Sequence, residues 1–161
     1  MTQRKVLKWP DPSLRKVSSK VSKFDAELAE KINDMYDTLR AENGAGIAAP
    51  QIGIAERIVL IDCSCFGTFS PYPWRRDRKI WVLVNPEIHP TTSRKEKWVE
   101  ACLSVPGMKG EVVRAAEVEI KTNNFETGTQ NGLIVRWPLS GAIQHECDHL
   151  DGIVYLDRMK K

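Results

Sequence analysis

Residues 145–149 read His-Glu-Cys-Asp-His, a pattern typical of metal-binding helices. On a helix, His145 and His149 lie one turn apart on one face and can bind a single metal ion. Glu146 lies between them and can accept the proton of a water molecule on that ion. The pattern therefore predicts a helix that carries a hydrolytic metal site.

A third metal ligand has to come from elsewhere in the chain. Many zinc proteases with this pattern take it from well downstream, but only twelve residues follow His149. We therefore expect an upstream ligand. Cys147 is excluded, because it lies about 200° around the helix from His145. Carboxylates stay open as candidates, together with one histidine in a proline-flanked, turn-like stretch and three thiols: His89, Cys63, Cys65 and Cys102.

Two upstream segments are rich in small residues. One runs from Gly44 to Gly53 as Gly-Ala-Gly-Ile-Ala-Ala-Pro-Gln-Ile-Gly, and Gln51 is its only polar side chain. The other reads Glu-Ala-Cys-Leu-Ser-Val-Pro-Gly over residues 100–107 and holds Cys102 ahead of a Pro-Gly turn. Segments with so few bulky side chains let a ligand or another strand approach the backbone closely.

Together with the histidine motif, these segments resemble the three signatures of the peptide deformylase family, in the same order. The family pattern is a Gly-rich segment ending in Gln, then Glu-Gly-Cys-Leu-Ser, then Gln-His-Glu-x-x-His-Leu. The corresponding residues here are 44–51, 100–104 and 144–150. Three motifs in order are far more specific than any one alone, and they span most of the chain. The sequence is therefore identified as a member of that family.

The resemblance implies metal-dependent hydrolysis of the N-formyl group from the N-terminal methionine of newly synthesised polypeptides, with release of formate. It assigns the metal to Cys102, His145 and His149, and the proton transfer to Glu146. The amide of Gln51 and the backbone N–H of Leu103 would meet the developing oxyanion. The substrate would be bound partly as an added strand and partly in an apolar methionine pocket, by residues Ala45, Gly46, Trp98, Glu100, Ala101, Gly141 and Ala142.

The resemblance also implies a cofactor and partners. Fe(II) is the expected physiological metal, with Ni(II), Co(II) or Zn(II) able to substitute, and a thiolate with two imidazoles does not by itself choose among them. The expected partners are N-formylmethionyl nascent peptides and the ribosome near the peptide exit. We expect a monomer that binds neither membranes nor DNA.

The fold class expected from both the resemblance and the hydrophobic pattern is α+β, with antiparallel β-sheets surrounding a central metal-binding helix. An N-terminal helix is indicated by apolar residues at helical spacing, after a cap at Ser22 or Asp25 and before the glycines at 44 and 46: Leu28, Ile32, Met35, Tyr36 and Leu39. The predicted strands and second helix cover residues 57–62, 80–85, 112–122, 133–137 and about 139–150. Because the strands outnumber the helices and lie close in sequence, antiparallel pairing is favoured.

The composition limits the domain number, the classes of partner and the cellular compartment that we expect. With 161 residues, of which 42% are hydrophobic and 28% charged, the chain is expected to form one globular domain over 1–161. A net charge of +3 is too small to indicate nucleic-acid binding by itself. The sequence has no apolar run that could span a membrane and no secretory signal. Four cysteines in such a chain indicate a reducing compartment, so we expect a cytoplasmic protein.

The chain departs from the family pattern at several points. Ala45 replaces a larger aliphatic residue. Ala101 replaces a glycine, and its methyl group could crowd a bound peptide. A polar stretch over 64–79 is longer than the usual hairpin loop, and its basic run 74–79 is interpreted as a solvated hairpin tip. The C-terminus is shorter than in many bacterial members. These departures bear on substrate preference and docking more than on chemistry.

Two other functions compete with a deformylase. A zincin-like endopeptidase would need a downstream ligand, for which only Asp151 and Asp157 are available, and it leaves Cys102 and Gln51 unexplained. A catalytically silent homologue could act as a peptide- or ribosome-binding module. It would have no reason to keep Gln51, Cys102 and Glu146 together.

The pair Cys63 and Cys65 is expected to serve packing or a loop, since two thiols make no structural metal site.

Overall fold

The computed structural model of this protein describes residues 3–67 and 80–159. Its helices are α1 (Ala26–Ala41) and α2 (Leu139–Leu150). Its strands are β1 (Gly46–Ala48), β2 (Ile58–Asp62), β3 (Ile80–Pro90), β4 (Lys95–Cys102), β5 (Val105–Ala115), β6 (Glu117–Asn123) and β7 (Gln130–Arg136). Short 3-10 turns join several elements, among them Ala49–Ile52 and Tyr155–Asp157. The combination of helices and antiparallel sheets confirms the predicted α+β class.

Helix α1 forms where apolar residues recur at helical spacing. Asp25 caps it, because its carboxylate accepts a hydrogen bond from the backbone N–H of Leu28 at 3.2 Å. The helix ends at Ala41, before the glycines expected to end it, because Asn43 already adopts a left-handed conformation with φ 51°. The face that it buries includes four of the predicted apolar residues: Leu28, Ile32, Met35 and Leu39.

Five strands form one antiparallel sheet in the order β1-β2-β3-β6-β7, and β4 pairs with β5 in a separate hairpin. Pairing with β6 carries β3 on to Pro90, so His89 lies opposite Glu119 in a strand and the turn predicted there is wrong. The run predicted as one strand over 112–122 is divided at Ala116 into β5 and β6, which belong to different sheets.

The five-stranded sheet separates two hydrophobic clusters. Val59 and Ile61 of β2 belong to the cluster that includes the apolar face of α2, whereas Ile58 and Leu60 belong to the cluster that includes α1. All residues of β2 are buried because both faces of the strand are covered. Helix α2 also contacts β1, β5 and β7, and nearly all of it is buried. The sheets therefore hold the histidine-bearing helix from several sides, as predicted.

The remaining sequence features have simple places in this fold. Cys63 is buried and Cys65 exposed in a 3-10 turn, Cys63–Phe66, and neither forms a disulfide bond within the described residues, which agrees with a packing or loop role. Residues 68–79 lie outside the described residues, so most of the expected insertion over 64–79, with its basic run, has no structural description. Within the described ranges, no helix has the length and apolar character needed to cross a membrane.

Candidate active site

Helix α2 presents two imidazoles on one face, as their spacing predicts. The rings of His145 and His149 have centroids 5.3 Å apart, and both side chains are buried. Cys102 lies at the end of β4, with its Sγ 3.2 Å from Nε2 of His149. The three side chains offer ligand atoms within 4.8 Å of one another. Among the described residues, the other upstream candidates lie outside this group: His89, Cys63 and Cys65.

The chemistry of this group fits a divalent transition metal. One thiol and two imidazoles match the ligand sets of catalytic sites that keep a further position for water or substrate. Nδ1 of His149 and Oε2 of Glu146 are buried and have no hydrogen-bond partner within the described part of the chain. Such orphaned buried atoms are costly unless something completes the site. The donor set therefore suits the metal predicted from the sequence, and the orphaned oxygen of Glu146 suits a water molecule beside that metal; Nδ1 of His149 carries no such information, because Nε2 is the ring atom that faces Cys102.

Glu100 supports this group through its side chain. Its Oε2 lies 2.6 Å from Nδ1 of His145, and its two oxygens accept hydrogen bonds from Arg114 at 2.8 and 2.9 Å. Burial would raise the pKa of Glu100, but the hydrogen bonds from His145 and Arg114 outweigh burial and lower it to about 2. An anionic carboxylate at Nδ1 fixes the imidazole ring and leaves Nε2 free to bind a metal.

The same ion pairs bind the strand to the helix. Arg114 of β5 also donates to Asp148 of α2, and Arg158 donates to the other carboxylate oxygen at 2.7 Å. Asp148 is adjacent to His149 in sequence, and Glu100 is two residues before Cys102. The buried guanidinium therefore joins the segment that carries the thiol to the helix that carries the imidazoles.

Glu146 is buried beside the three grouped side chains. Burial raises its pKa to about 7, although the positive charge of His145 opposes that shift. A carboxyl group with a pKa near neutrality can both accept and return a proton, as a general base and acid must. Its immediate neighbour across the cleft is the backbone of Gly46 in β1.

Gln51 lies in the turn after β1, with its amide fixed at both ends. Its Oε1 accepts a hydrogen bond from the backbone N–H of Ala48 at 2.8 Å. Its Nε2 donates to Oγ of Ser104 at 3.1 Å and lies 3.5 Å from Sγ of Cys102. Leu103, the residue between these two partners, is packed against Gly44. The predicted oxyanion-binding residues are thus gathered next to Cys102.

Two tryptophans form a wall on the same face of α2, one turn before His145. Trp98 and Trp137 meet edge to face, with centroids 4.7 Å apart. A Cβ atom at Gly141 would lie 2.6 Å from the Trp137 ring and 3.0 Å from the Trp98 ring, so both rings occupy the space above this glycine. The indole Nε1 of Trp98 donates to Glu100 at 2.7 Å, which connects the wall to the group around His145.

The other predicted substrate-binding residues lie around this cleft in different environments. Ala142 is buried on α2. Ala45 and Ala101 are exposed, next to the edges of β1 and β4 respectively. Among the described residues, β1 is at one end of the five-stranded sheet, and β4 pairs only with β5. Each strand therefore has an edge that could accept a further chain.

The sequence reading missed four residues of this neighbourhood. Arg114 and Asp148 connect the two motif-bearing elements, Ser104 fixes the Gln51 amide, and Trp137 completes the aromatic wall. Arg114 could have been found, because it lies two residues after the apolar Val112 on a strand and therefore faces the same, inward side. Trp137 gave no such signal, since its importance depends on a contact with a distant strand.

Comparison with known proteins agrees over the whole chain. A family model described as "Polypeptide deformylase" matches residues 3–161. A protein named "Peptide deformylase" from Natranaerobius thermophilus is 36% identical, with 100% of this chain and 95% of that protein covered. "Peptide deformylase 1" from Prochlorococcus marinus is 40% identical, with 99% of this chain and 82% of that protein covered.

Solved structures give the same result for the fold. The peptide deformylase from Thermotoga maritima has a TM-score of 0.88 at 29% identity, with 100% of both chains covered. The peptide deformylase from Legionella pneumophila has a TM-score of 0.85 at 36% identity, with 99% of this chain and 87% of that chain covered. The antiparallel sheets and the two helices described above are therefore an arrangement shared with these proteins.

Proposed function

This chain belongs to the peptide deformylase family, and we propose that it removes the formyl group from the N-terminal methionine of newly synthesised polypeptides, releasing formate. The observation that carries the proposal is the convergence of Cys102, His145 and His149 within 4.8 Å. Glu146 is buried beside them and Gln51 is directed at the thiol. Each of these side chains has a role in hydrolysis of a formamide.

The metal would be held by Cys102, His145 and His149. When bound, a divalent ion at this position supplies a Lewis acid that acidifies water and polarises the formyl oxygen. We propose Fe(II) as the physiological metal, and the donor set also suits Ni(II), Co(II) and Zn(II). Glu100 keeps His145 in the required orientation through Nδ1.

Glu146 moves the proton. It accepts a proton as water attacks the formyl carbon, and it returns that proton to the nitrogen of the leaving amine. A pKa of about 7, raised by burial, lets it do both near neutral pH. The Gln51 amide and the Leu103 backbone N–H stabilise the negative charge that develops on the formyl oxygen. Both donors are preorganised, so they do not have to move into place during the reaction.

The peptide would bind between two strand edges. The backbone of Gly46 in β1 and the backbone of Glu100 and Ala101 in β4 can add an extended chain as a further strand. The methionine side chain would enter the space bounded by Ala45, Trp98, Gly141 and Ala142. Aromatic rings and a thioether make favourable contacts, so the tryptophan wall supports methionine as the first residue.

We also propose that residues 1–161 act as one catalytic domain in the cytoplasm, on peptides emerging from the ribosome. Family membership supports these proposals. An endopeptidase of the zincin type is disfavoured, because the third member of the group is Cys102, upstream of the histidines, and not a downstream carboxylate.

Replacement of Glu146 by Gln separates an enzyme from a silent binding module. The substitution keeps the shape of the side chain and removes its capacity to accept a proton. We expect the variant to bind a formyl-methionyl peptide as the wild type does and to lose turnover. Equal turnover by the two proteins, measured by amine release, would contradict the proposed role of Glu146.

A further inference from the structure

Three consecutive residues near the N-terminus, Leu7, Lys8 and Trp9, cross the site on the side of Gln51, and we call them the strap. The backbone N–H of Leu7 donates to the carbonyl of Gln51 at 2.7 Å. Nζ of Lys8 donates to the carbonyl of Leu103 at 2.7 Å. The backbone N–H of Trp9 donates to the carbonyl of Ser104 at 2.8 Å. These partners are the two predicted oxyanion-binding residues and the serine that holds one of them.

The strap is itself fixed to the segment that follows α2. The guanidinium of Arg15 lies 4.4 Å above the ring of Trp9. The same guanidinium pairs with Asp157 and donates to the carbonyl of Gly152 at 3.2 Å. The strap is therefore connected to two of the motif-bearing segments and, through Arg15, to the segment that follows the third.

Among the described residues, Lys8 makes the one hydrogen bond from a strap side chain to these segments. The other two contacts are made by backbone N–H groups, which any residue except proline would supply. Lys8 is an exposed residue, and its ammonium donates to a carbonyl 95 positions away in sequence. A charged donor makes a stronger hydrogen bond than a neutral one, so this contact restrains the Leu103 peptide more than water would.

The Leu103 N–H, the proposed oxyanion donor, and the Leu103 carbonyl, which accepts from Lys8, are joined through one Cα atom. Restraining the carbonyl therefore also restrains the N–H. Fixing the carbonyl of Leu103, together with that of Ser104, limits rotation of the turn between β4 and β5. That turn carries the Leu103 N–H, and it also carries the Ser104 hydroxyl that orients the Gln51 amide. A small change in the turn would therefore move both oxyanion donors at once, and donors out of place by a fraction of an ångström lose much of their effect.

We propose that Lys8 is a positioning residue for deformylation, which acts by fixing the Leu103–Ser104 turn so that the two oxyanion donors converge. The inference rests on the proposed function. Because those donors act in the transition state more than in the bound substrate, weakening them should lower kcat and leave KM nearly unchanged. A residue that only supported the fold would instead change the melting temperature or the metal content.

The test is Lys8→Met, which keeps the aliphatic stem and removes the ammonium, measured on the metal-loaded protein with a formyl-Met-Ala-Ser peptide. We expect kcat to fall by about threefold to tenfold, the range for one such hydrogen bond, with KM, metal content and melting temperature unchanged. Lys8→Arg keeps a charged donor and should restore most of kcat. Lys23→Met removes an exposed ammonium outside the strap and should behave as the wild type.

Three outcomes would overturn the proposal. One is a Lys8→Met variant with the kcat of the wild type. Another is a loss of activity that follows loss of metal or of thermal stability. The third is a loss that appears in KM alone. A wild-type protein without deformylase activity would overturn the proposed function and this inference with it, whereas an active wild type with an unaffected variant would overturn the inference only.

Discussion

A Cβ atom at Gly46 would lie 2.7 Å from Oε1 of Glu146 and 2.9 Å from its Cγ. Real Cβ atoms do not approach other atoms so closely, so the Glu146 carboxylate, the proposed general base, occupies the space that a side chain at residue 46 would need. Gly46 lies in β1, paired with Ile61 of β2, and its backbone has little room to retreat. The absence of a side chain at residue 46 is therefore part of how Glu146 is placed.

Gly46→Ala should displace Glu146 and slow the reaction. A displacement of about 1 Å in a catalytic group can cost about 100-fold in rate, and we expect a loss of kcat of that order with metal content unchanged. Steady-state kinetics of the purified variant would measure it. The matched control is Gly132→Ala in β7, where the added Cβ meets only the carbonyl of Ile120 at 3.8 Å. Wild-type kcat in Gly46→Ala would show that Glu146 does not need this space.

Glu100→Gln should weaken metal binding. The substitution keeps the size of the side chain but removes the negative charge that faces Nδ1 of His145 and the guanidinium of Arg114. Loss of such a supporting contact typically costs about 10- to 100-fold in metal affinity. Competition with a chelator would measure the affinity. Glu96→Gln, on the same face of β4 but paired with Arg94 near the surface, serves as control. If both variants bound metal as the wild type does, the supporting role of Glu100 would be refuted.

If His145 is a metal ligand, as proposed, the metal-free protein should lose stability as the pH rises from about 6.5 to about 10, and the metal-loaded protein should not. Burial alone would lower the pKa of His145, but hydrogen bonds with Cys102 and Glu100 raise it from 6.5 to about 10. A group with a raised pKa in the folded state stabilises the fold fully below its unfolded value, and that contribution disappears as the pH approaches the folded value. A metal ion held by His145 would replace its proton, so the loaded protein should lack this alkaline decline.

The measurement is thermal unfolding between pH 2 and pH 10, with and without a chelator. A second feature is expected on the acidic side. The pKa of Glu100 is about 2 in the fold against 4.5 otherwise, so its contribution is lost as the pH falls from 4.5 towards 2. Equal pH profiles for the chelated and the loaded protein would argue that His145 is not a metal ligand.

Trp98→Ala should reduce the preference for methionine. Its ring packs on Trp137 and covers Gly141, one turn from His145. We expect kcat/KM for a formyl-Met peptide to fall by about tenfold, in the range for lost contacts in an apolar specificity pocket, with little change for a formyl-Ala peptide. Trp98→Phe keeps an aromatic ring and removes the indole N–H that donates to Glu100. It therefore distinguishes the effect of the ring from the effect of that hydrogen bond. An equal loss on both substrates would place Trp98 outside the pocket.

Local sequence rules predicted the parts of this protein that local rules control. Helix α2 covers Leu139–Leu150 as expected, because the metal-binding spacing, the preceding Pro138 and the following Gly152 define it. The strand predicted over 112–122 includes most of β6, where Val118, Glu119, Ile120 and Lys121 alternate between buried and more exposed positions, as expected for a sheet with one face towards solvent.

The errors occur where partners far apart in sequence decide the structure. Strand β4 was not predicted, because its outward face carries Lys95 and Lys97 and the run does not look apolar. The inward face of the same strand carries Trp98 and Glu100, whose roles depend on α2 and β5. The strap contact of Lys8 is of the same kind. No periodicity or motif marks a lysine that meets a carbonyl 95 positions away.

The measurement that tests the account most directly is anaerobic hydrolysis of formyl-Met-Ala-Ser against acetyl-Met-Ala-Ser, with Fe(II) or Ni(II) loaded and amine release followed. Release from the formyl peptide alone, abolished by Cys102→Ala, is the result that the proposed site predicts. Tightly bound metal without any release from the formyl peptide would contradict the proposed activity and would favour a deformylase fold that only binds peptides.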